Sequence, residues 1–211
     1  MTIQRFKLIN CKSCGIECKS GHRGLCGSCY AKAQKEKTKQ KKVKEKRTKQ
    51  KLTKKFSKTV LMKEADTVFS LFVRLRDTDS NGNMTCITSG RFCGWNSIDN
   101  SHYIPRSYMK YRYDEINCNA QSKNDNGRLH GNIPEYRRWL INKYGADVEM
   151  SMFLGSKEYF KPDANFYLDV IRKYLPKVKT MLKKKTFETQ NYWTNLNRIE
   201  RTYCDDNSTN R

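Results

Sequence analysis

From Thr59 onward the polar and apolar positions fall into a helical rhythm. Val60, Leu61, Ala65, Val68, Phe69, Phe72, Val73 and Leu75 recur every three or four residues. This predicts an amphipathic helix over 58–76 that opens a packed domain. The pattern stops at the turn-rich run from Asp77 to Gly82. Short β-like pieces follow at Met84–Thr88, Phe92–Ser97 and Ser101–Ile104, separated by Gly and Asn. Residues 117–126 are polar and predict a short helix with Asn117 or Asn119 as its N-cap. Residues 134–144 predict a helix opened by Pro134 and stopped by Gly145. Over 163–185, Leu168, Ile171, Leu175, Val178 and Leu182 share one helical face, with Pro176 expected to kink or split it. The tail from Asp205 is expected to fray.

Before residue 59 the pattern is different. Residues 31–58 carry 14 Lys or Arg against two acids, with no Pro or Gly and no apolar stripe. A helix there would have nothing to bury, so a solvated, partly helical basic linker is expected. Residues 1–30 are Cys-rich. The predicted class is α+β, with four parts: a zinc-binding unit (1–30), a basic linker (31–58), a ββα domain (59–155) and a helical C-terminal extension (156–211).

Composition narrows the partners. Across 211 residues the formal net charge is +22, which calls for a polyanion, and nucleic acid is the first candidate. Lys41, Lys42 and Arg47 in the linker are expected to meet DNA phosphates. An anionic membrane is the weaker partner, because the basic stretches lack an apolar face. No apolar run is long enough to span a bilayer, and the N-terminus has no apolar signal segment. Of nine cysteines, five crowd into residues 11–29. Without an export signal, that crowding favours metal over disulfides. Cys11 and Cys14 form one CxxC pair and Cys26 and Cys29 another, 11 residues apart. Two such pairs make a closed tetrahedral zinc site suited to a unit too small to have a core. Cys18 and His22 lie between the pairs and fall outside their spacing. Asp77, Asp79, Asn81 and Gly82 match half of a calcium loop. Thr88 stands where that loop needs a Glu, so a plain turn is expected.

Three further positions carry chemistry. His102 ends a predicted strand, and Asn117 and Asn126 bracket the predicted short helix, a ββα arrangement. A hydrolytic nuclease needs a base for water, a divalent cation at the phosphate and a group that orients the base. A neutral imidazole suits the first role, and Asn oxygens suit the other two. His130 lies four residues beyond Asn126.

At these residues the chain resembles the bacteriophage lambda NinG (Rap) family of recombination endonucleases, related to HNH nucleases. The resemblance runs from about Val68 to Met150. It is carried by LFVRLRD (71–77), CITSG (86–90), DNSHYIPR (99–106), YRYDEIN (111–117) and HGNIPEYRRWLINKYG (130–145). It implies that His102 is the catalytic histidine, Asn117 the middle Asn of the HNH pattern and Asn126 its last position. A metal-dependent endonuclease on branched DNA such as Holliday junctions is then expected, in the cytoplasm of an infected bacterial host. Asn126, with His130, would hold Mg²⁺ or Mn²⁺, and Arg106 and Lys110 would clamp the DNA backbone. A homodimer is left open. The family usually has CxxC pairs at Cys86/Ser89 and at Ser122/Asp125, which bind a structural zinc. Here only Cys86 remains, so that zinc is expected to be lost. Packing by Phe92, Trp95, Tyr103, Tyr108, Tyr111 and Tyr113 would replace it, and Cys93 and Cys118 are alternative partners for Cys86. Ser101 stands where many HNH nucleases have a metal-binding Asp. Two other readings fit the same residues: a non-catalytic DNA-binding scaffold, and a sequence-specific homing-type nuclease.

Overall fold

The structure, a computed structural model, describes residues 8–19 and 22–204. The expected fraying from Asp205 lies outside those residues. The fold is α+β and mostly helical, with three small antiparallel sheets among the described residues. It divides between Lys55 and Phe56 into two compact units.

In the first unit, β1 (Leu8–Asn10) pairs antiparallel with β2 (Glu17–Lys19). Helix α1 then runs unbroken over Gly27–Lys55. After Gly27 it contains neither Gly nor Pro, and Lys, Arg, Gln and Glu are all good helix formers. None of its described residues is buried. The basic segment is therefore one continuous helix, longer than the partly helical linker expected, but as solvated as its missing apolar stripe predicts.

In the second unit, α2 spans Lys58–Arg76, as the periodicity predicts. It buries Leu61, Ala65, Val68, Phe69, Leu71, Phe72, Val73 and Leu75. These pack with α5 (Ala164–Leu182) and α6 (Gln190–Tyr203) in the main core. The C-terminal helices thus share a core with α2. Pro176 does not split α5. An interior proline costs about 3 kcal/mol. The side chains on either side of it, Ile171, Tyr174, Leu175, Val178 and Leu182, are all buried in this core. Each contributes roughly 1.5–3 kcal/mol, so packing outweighs the lost backbone bond.

A hairpin of β3 (Met84–Thr85) and β4 (Phe92–Cys93) follows α2. Next come β5 (Ile98–His102) and β6 (Cys118–Ser122), antiparallel, with Ile98 opposite Ser122 and His102 opposite Cys118. After β6 the chain makes one π-helical turn, Asn124–Arg128, and then forms α3 (Ile133–Tyr144) and α4 (Ala146–Gly155). The helix expected over 117–126 is thus a strand plus a π turn. Asn119 and Gln121 do not start a helix, because their buried side chains are engaged by distant partners. Asn119 accepts from Arg76 and donates to the Tyr136 hydroxyl, while Gln121 donates to Thr88 and to the Gly131 carbonyl. A second, smaller core of Tyr103, Ile104, Tyr136, Leu140 and Met152 joins this region to α3 and α4. Among the described residues no helix is long and apolar enough to cross a membrane.

Candidate metal centre and candidate active site

The sulfurs of Cys11, Cys14, Cys26 and Cys29 all lie within 4.8 Å of one another. Short-range turns put them there. The Gly15 N–H donates to the Cys11 carbonyl, with Gly15 at φ +74°, which glycine adopts freely. The second pair straddles the first turn of α1. Cys14 and Cys26 sulfurs are 3.7 Å apart. The edge of a tetrahedron with ~2.3 Å zinc–sulfur bonds is about 3.8 Å, so the donor set fits zinc. Backbone N–H groups of Cys26, Cys14 and Ser13 lower the Cys11 thiol to about 6. The Ile16 N–H pulls Cys14 down but the neighbouring thiols outweigh it and raise Cys14, and burial raises Cys18. Four such thiols ionise together only if a cation neutralises them. Cys18 is outside this cluster, and the His22 side chain lies outside the described residues.

In the second unit a cavity of about 590 Å³ is lined by Asp99, Ser101, His102, Arg106, Asn126 and His130, among others. Strand β5 supplies the first three, the loop after it Arg106, and the π turn and its exit Asn126 and His130. The exit is built from consecutive left-handed residues: His130 (φ +50°), Gly131 (+88°) and Asn132 (+44°). Non-glycine residues at positive φ are uncommon, and the Gln121 amide ties this turn down at the Gly131 carbonyl, 2.8 Å away.

Each predicted residue has a definite place. His102 Nε2 lies 3.1 Å from the Arg112 carbonyl. A carbonyl only accepts, so Nε2 carries the proton and Nδ1 is the lone-pair nitrogen. Burial pushes the imidazole pKa down to about 4 against the opposing pull of that carbonyl, and the Arg106 and Arg112 charges push the same way. His102 is therefore neutral at pH 7. Arg112 is itself fixed, with its guanidinium on both Asp66 oxygens of α2 and on the Arg106 carbonyl. Asn117 is fully buried and does not line the cavity. Its amide accepts from Ile104 N–H at 2.6 Å and donates to the Ile104 and Tyr111 carbonyls, stapling the 103–117 loop. Asn126 Nδ2 sits 3.4 Å from Asp99 Oδ2. Arg106 lines the cavity. Lys110 does not, and pairs instead with Glu158 at 2.7 Å. Lys41, Lys42 and Arg47 are exposed on α1.

Two expectations about the hairpin region resolve differently. Cys86, Ser122 and Asp125 do converge, but as a polar knot. Asp125 accepts from Thr88 Oγ1 at 2.5 Å and from Cys86 Sγ at 3.5 Å, its N–H donates to Ser122 Oγ, and Ser122 N–H donates to Cys86 Sγ. Burial works to raise the Asp125 pKa, yet hydrogen bonds from Thr88, Ser89, Asn124 and Cys86 bring it down to about 2. Aromatic packing is only part of what holds this region, since Phe92 and Tyr108 are exposed. Among the described residues, Cys93 and Cys118 join no metal-binding group. The calcium lookalike is a turn: Asp79 Oδ1 accepts from the Asn81 and Asn83 N–H groups, and Asp77 pairs with Arg76.

Asp99 and Gln121 are the site residues that sequence reasoning missed. Asp99 lies inside the DNSHYIPR segment itself, so position relative to His102 was the available signal.

The chain thus combines a paired-cysteine unit, a basic helix and a polar cavity between a strand end and a π turn. The chain belongs to the family of the bacteriophage lambda NinG protein, whose model matches residues 3–185. That match is wider than the Val68–Met150 stretch and takes in both the cysteine cluster and α1. No curated protein and no solved structure matches the chain.

Proposed function

We propose that this chain is a metal-dependent, structure-specific DNA endonuclease of HNH type, acting on branched recombination intermediates in the infected host cell. The observation that carries the reading is the cavity where a neutral, tautomer-fixed His102 faces the same space as Asn126, His130 and Arg106. In this reading Nδ1 of His102 takes a proton from the attacking water, while the Arg112 carbonyl holds the ring. Asn117 keeps the loop that carries Arg106 and Arg112 in shape. Arg106 meets the phosphate backbone. Asn126 and His130 are candidate ligands for Mg²⁺ or Mn²⁺, which would supply polarisation of the scissile phosphate. The exposed cations of α1 hold DNA without reading its sequence, and the four cysteines hold a structural zinc.

The test is cleavage of junction, flap, single-stranded and linear DNA with Mg²⁺ or Mn²⁺. Branched substrates should be cut in preference. His102→Ala should lower the rate by ~10²–10⁴-fold with DNA binding nearly intact, because a general base contributes that much and phosphate contacts are spread over many side chains. Wild-type rates from His102→Ala would remove the HNH assignment. No cleavage of any substrate by the wild type would favour the scaffold reading.

A further inference from the structure

The ligand set above, an Asn amide and a His, is poor for a hard divalent cation. Mg²⁺ is held mainly by oxygens, normally with one or two carboxylates. Among the described residues lining the cavity, Asp99 is the one carboxylate. Three observations set it apart.

The first is charge. The chain has 43 Lys and Arg against 21 Asp and Glu, yet Asp99 has no ion-pair partner among the described residues. Its one hydrogen bond is the long 3.4 Å contact from Asn126. A carboxylate left unpaired in so basic a molecule keeps its lone pairs for something else.

The second is the state of its neighbours. Ser101 is only 1% exposed, lines the same cavity, and its Oγ has no hydrogen-bond partner. Asn100 Oδ1, from the residue between them, is also buried and unpartnered. Leaving a buried polar atom unsatisfied costs roughly 1–3 kcal/mol. Asp99 and Ser101, two residues apart on β5, share one face of the strand, so the unsatisfied Ser101 oxygen lies on the same side as the carboxylate, where a cation would satisfy both.

The third is placement. Asp99 pairs in register with Gln121, whose amide ties down the Gly131 carbonyl in the turn that presents His130. Asp99 is thus fixed against both the strand and the turn that carry the other candidate ligands.

The geometry points to Asp99 as the anionic ligand of a divalent-cation site completed by the Asn126 side-chain oxygen, with the Ser101 hydroxyl as a further oxygen donor. Asn126 reaches that role by turning its amide so that oxygen, not nitrogen, faces the ion. The carboxylate comes from a position three residues before His102, and Ser101 contributes a neutral oxygen. This assignment rests on the nuclease reading for the purpose of the ion, but the site itself is tested without cleavage.

The probe is Mn²⁺ titrated into the full-length, zinc-loaded protein and read by electron paramagnetic resonance. The wild type should bind one Mn²⁺ per chain outside the cysteine cluster. Replacement of an outer partner of a metal ligand already costs 10–100-fold in affinity, so Asp99→Asn should weaken binding by at least ~10²-fold. Ser101→Ala should weaken it less. Nuclear magnetic resonance of the unmutated protein gives a readout that does not depend on a variant folding: Mn²⁺ should broaden the Asn126 side-chain amide signals first. Wild-type Mn²⁺ affinity in a folded Asp99→Asn protein, or broadening centred elsewhere, overturns the assignment. If the wild type cuts DNA while Asp99→Asn still binds Mn²⁺ normally, the ligand assignment falls and the nuclease reading stands. If Mn²⁺ binds at Asp99 but no DNA is cut, the cation site stands and the nuclease reading falls.

Discussion

At the scale of single residues, two titratable groups each lose their stabilisation as pH falls, in different windows. The folded pKa of His102, about 4, lies below the ~6.5 of a free histidine. Between those values the unfolded chain binds the extra proton, so the stability associated with His102 is complete above pH ~6.5 and is lost as pH falls toward 4. His102→Gln should flatten the urea midpoint over that window, and an unchanged profile would mean the imidazole is not held neutral by burial. Asp125 acts lower on the scale. Its pKa of about 2 lies below an ordinary Asp near 3.8, so its stabilisation is present above pH ~4 and lost between about 4 and 2. Asp125→Asn turns an acceptor-only group into one that also donates, within a knot already supplied with donors. It should cost about 1–3 kcal/mol at pH 7, read as a lowered denaturant midpoint. The two windows barely overlap, so each variant reports on its own residue.

At the scale of elements, α1 and the π turn work in different ways. None of the described side chains of α1 is buried, so they can meet phosphates at small cost to the fold. Replacing Lys41, Lys42 and Arg47 with Gln removes three cations. Each phosphate contact contributes about 0.9 to the salt dependence, so the slope of log K against log salt should become shallower by roughly 2.7, equally for all DNA sequences. A slope that does not move would make α1 a spacer. The π turn has the opposite character. It carries an extra residue relative to an α-turn, and π turns recur at functional sites because they re-aim side chains. Here one brings Asn126 to within 3.4 Å of Asp99 across the β5–β6 pair.

At the scale of the whole molecule, the two units are stabilised differently. The second has a hydrophobic core of long-range helix contacts, whereas the first has a cysteine cluster and, among its described residues, no comparable core. One zinc per full chain is therefore expected by elemental analysis, and Cys14→Ser should lose it. Residues 56–211 alone should fold with almost no zinc. Stoichiometric zinc in that fragment would mean that the Asp125 knot, or another group in it, still takes the metal. Strong chelation of the full chain should abolish the ordered turns around Cys11–Cys29 and leave the thermal transition of the second unit in place.

Local pattern determined much of this protein. The α2 helix, its boundaries, the Pro134-to-Gly145 helix and the pairing of Cys11, Cys14, Cys26 and Cys29 all follow from spacing over a few residues, because the forces involved act over one or two turns. His102 and Asn126 were legible in the sequence as candidate positions of a motif, and both line one cavity. Tertiary structure decided the rest. Residues 117–126 carry no local preference for a strand. They form β6 because Arg76, Tyr136, Thr88 and Gly131, up to 43 positions away, engage the buried Asn119 amide and the Gln121 amide nitrogen. Helix α5 runs through Pro176 because the core it shares with α2 outweighs one lost hydrogen bond. Asp99, Ser101, Asn126 and His130 share a cavity only once β5 lies beside β6 and the π turn folds back over it. A hydrogen bond or a metal ligand is chosen by distance in space, and a linear pattern records that distance only when the partners are also close along the chain.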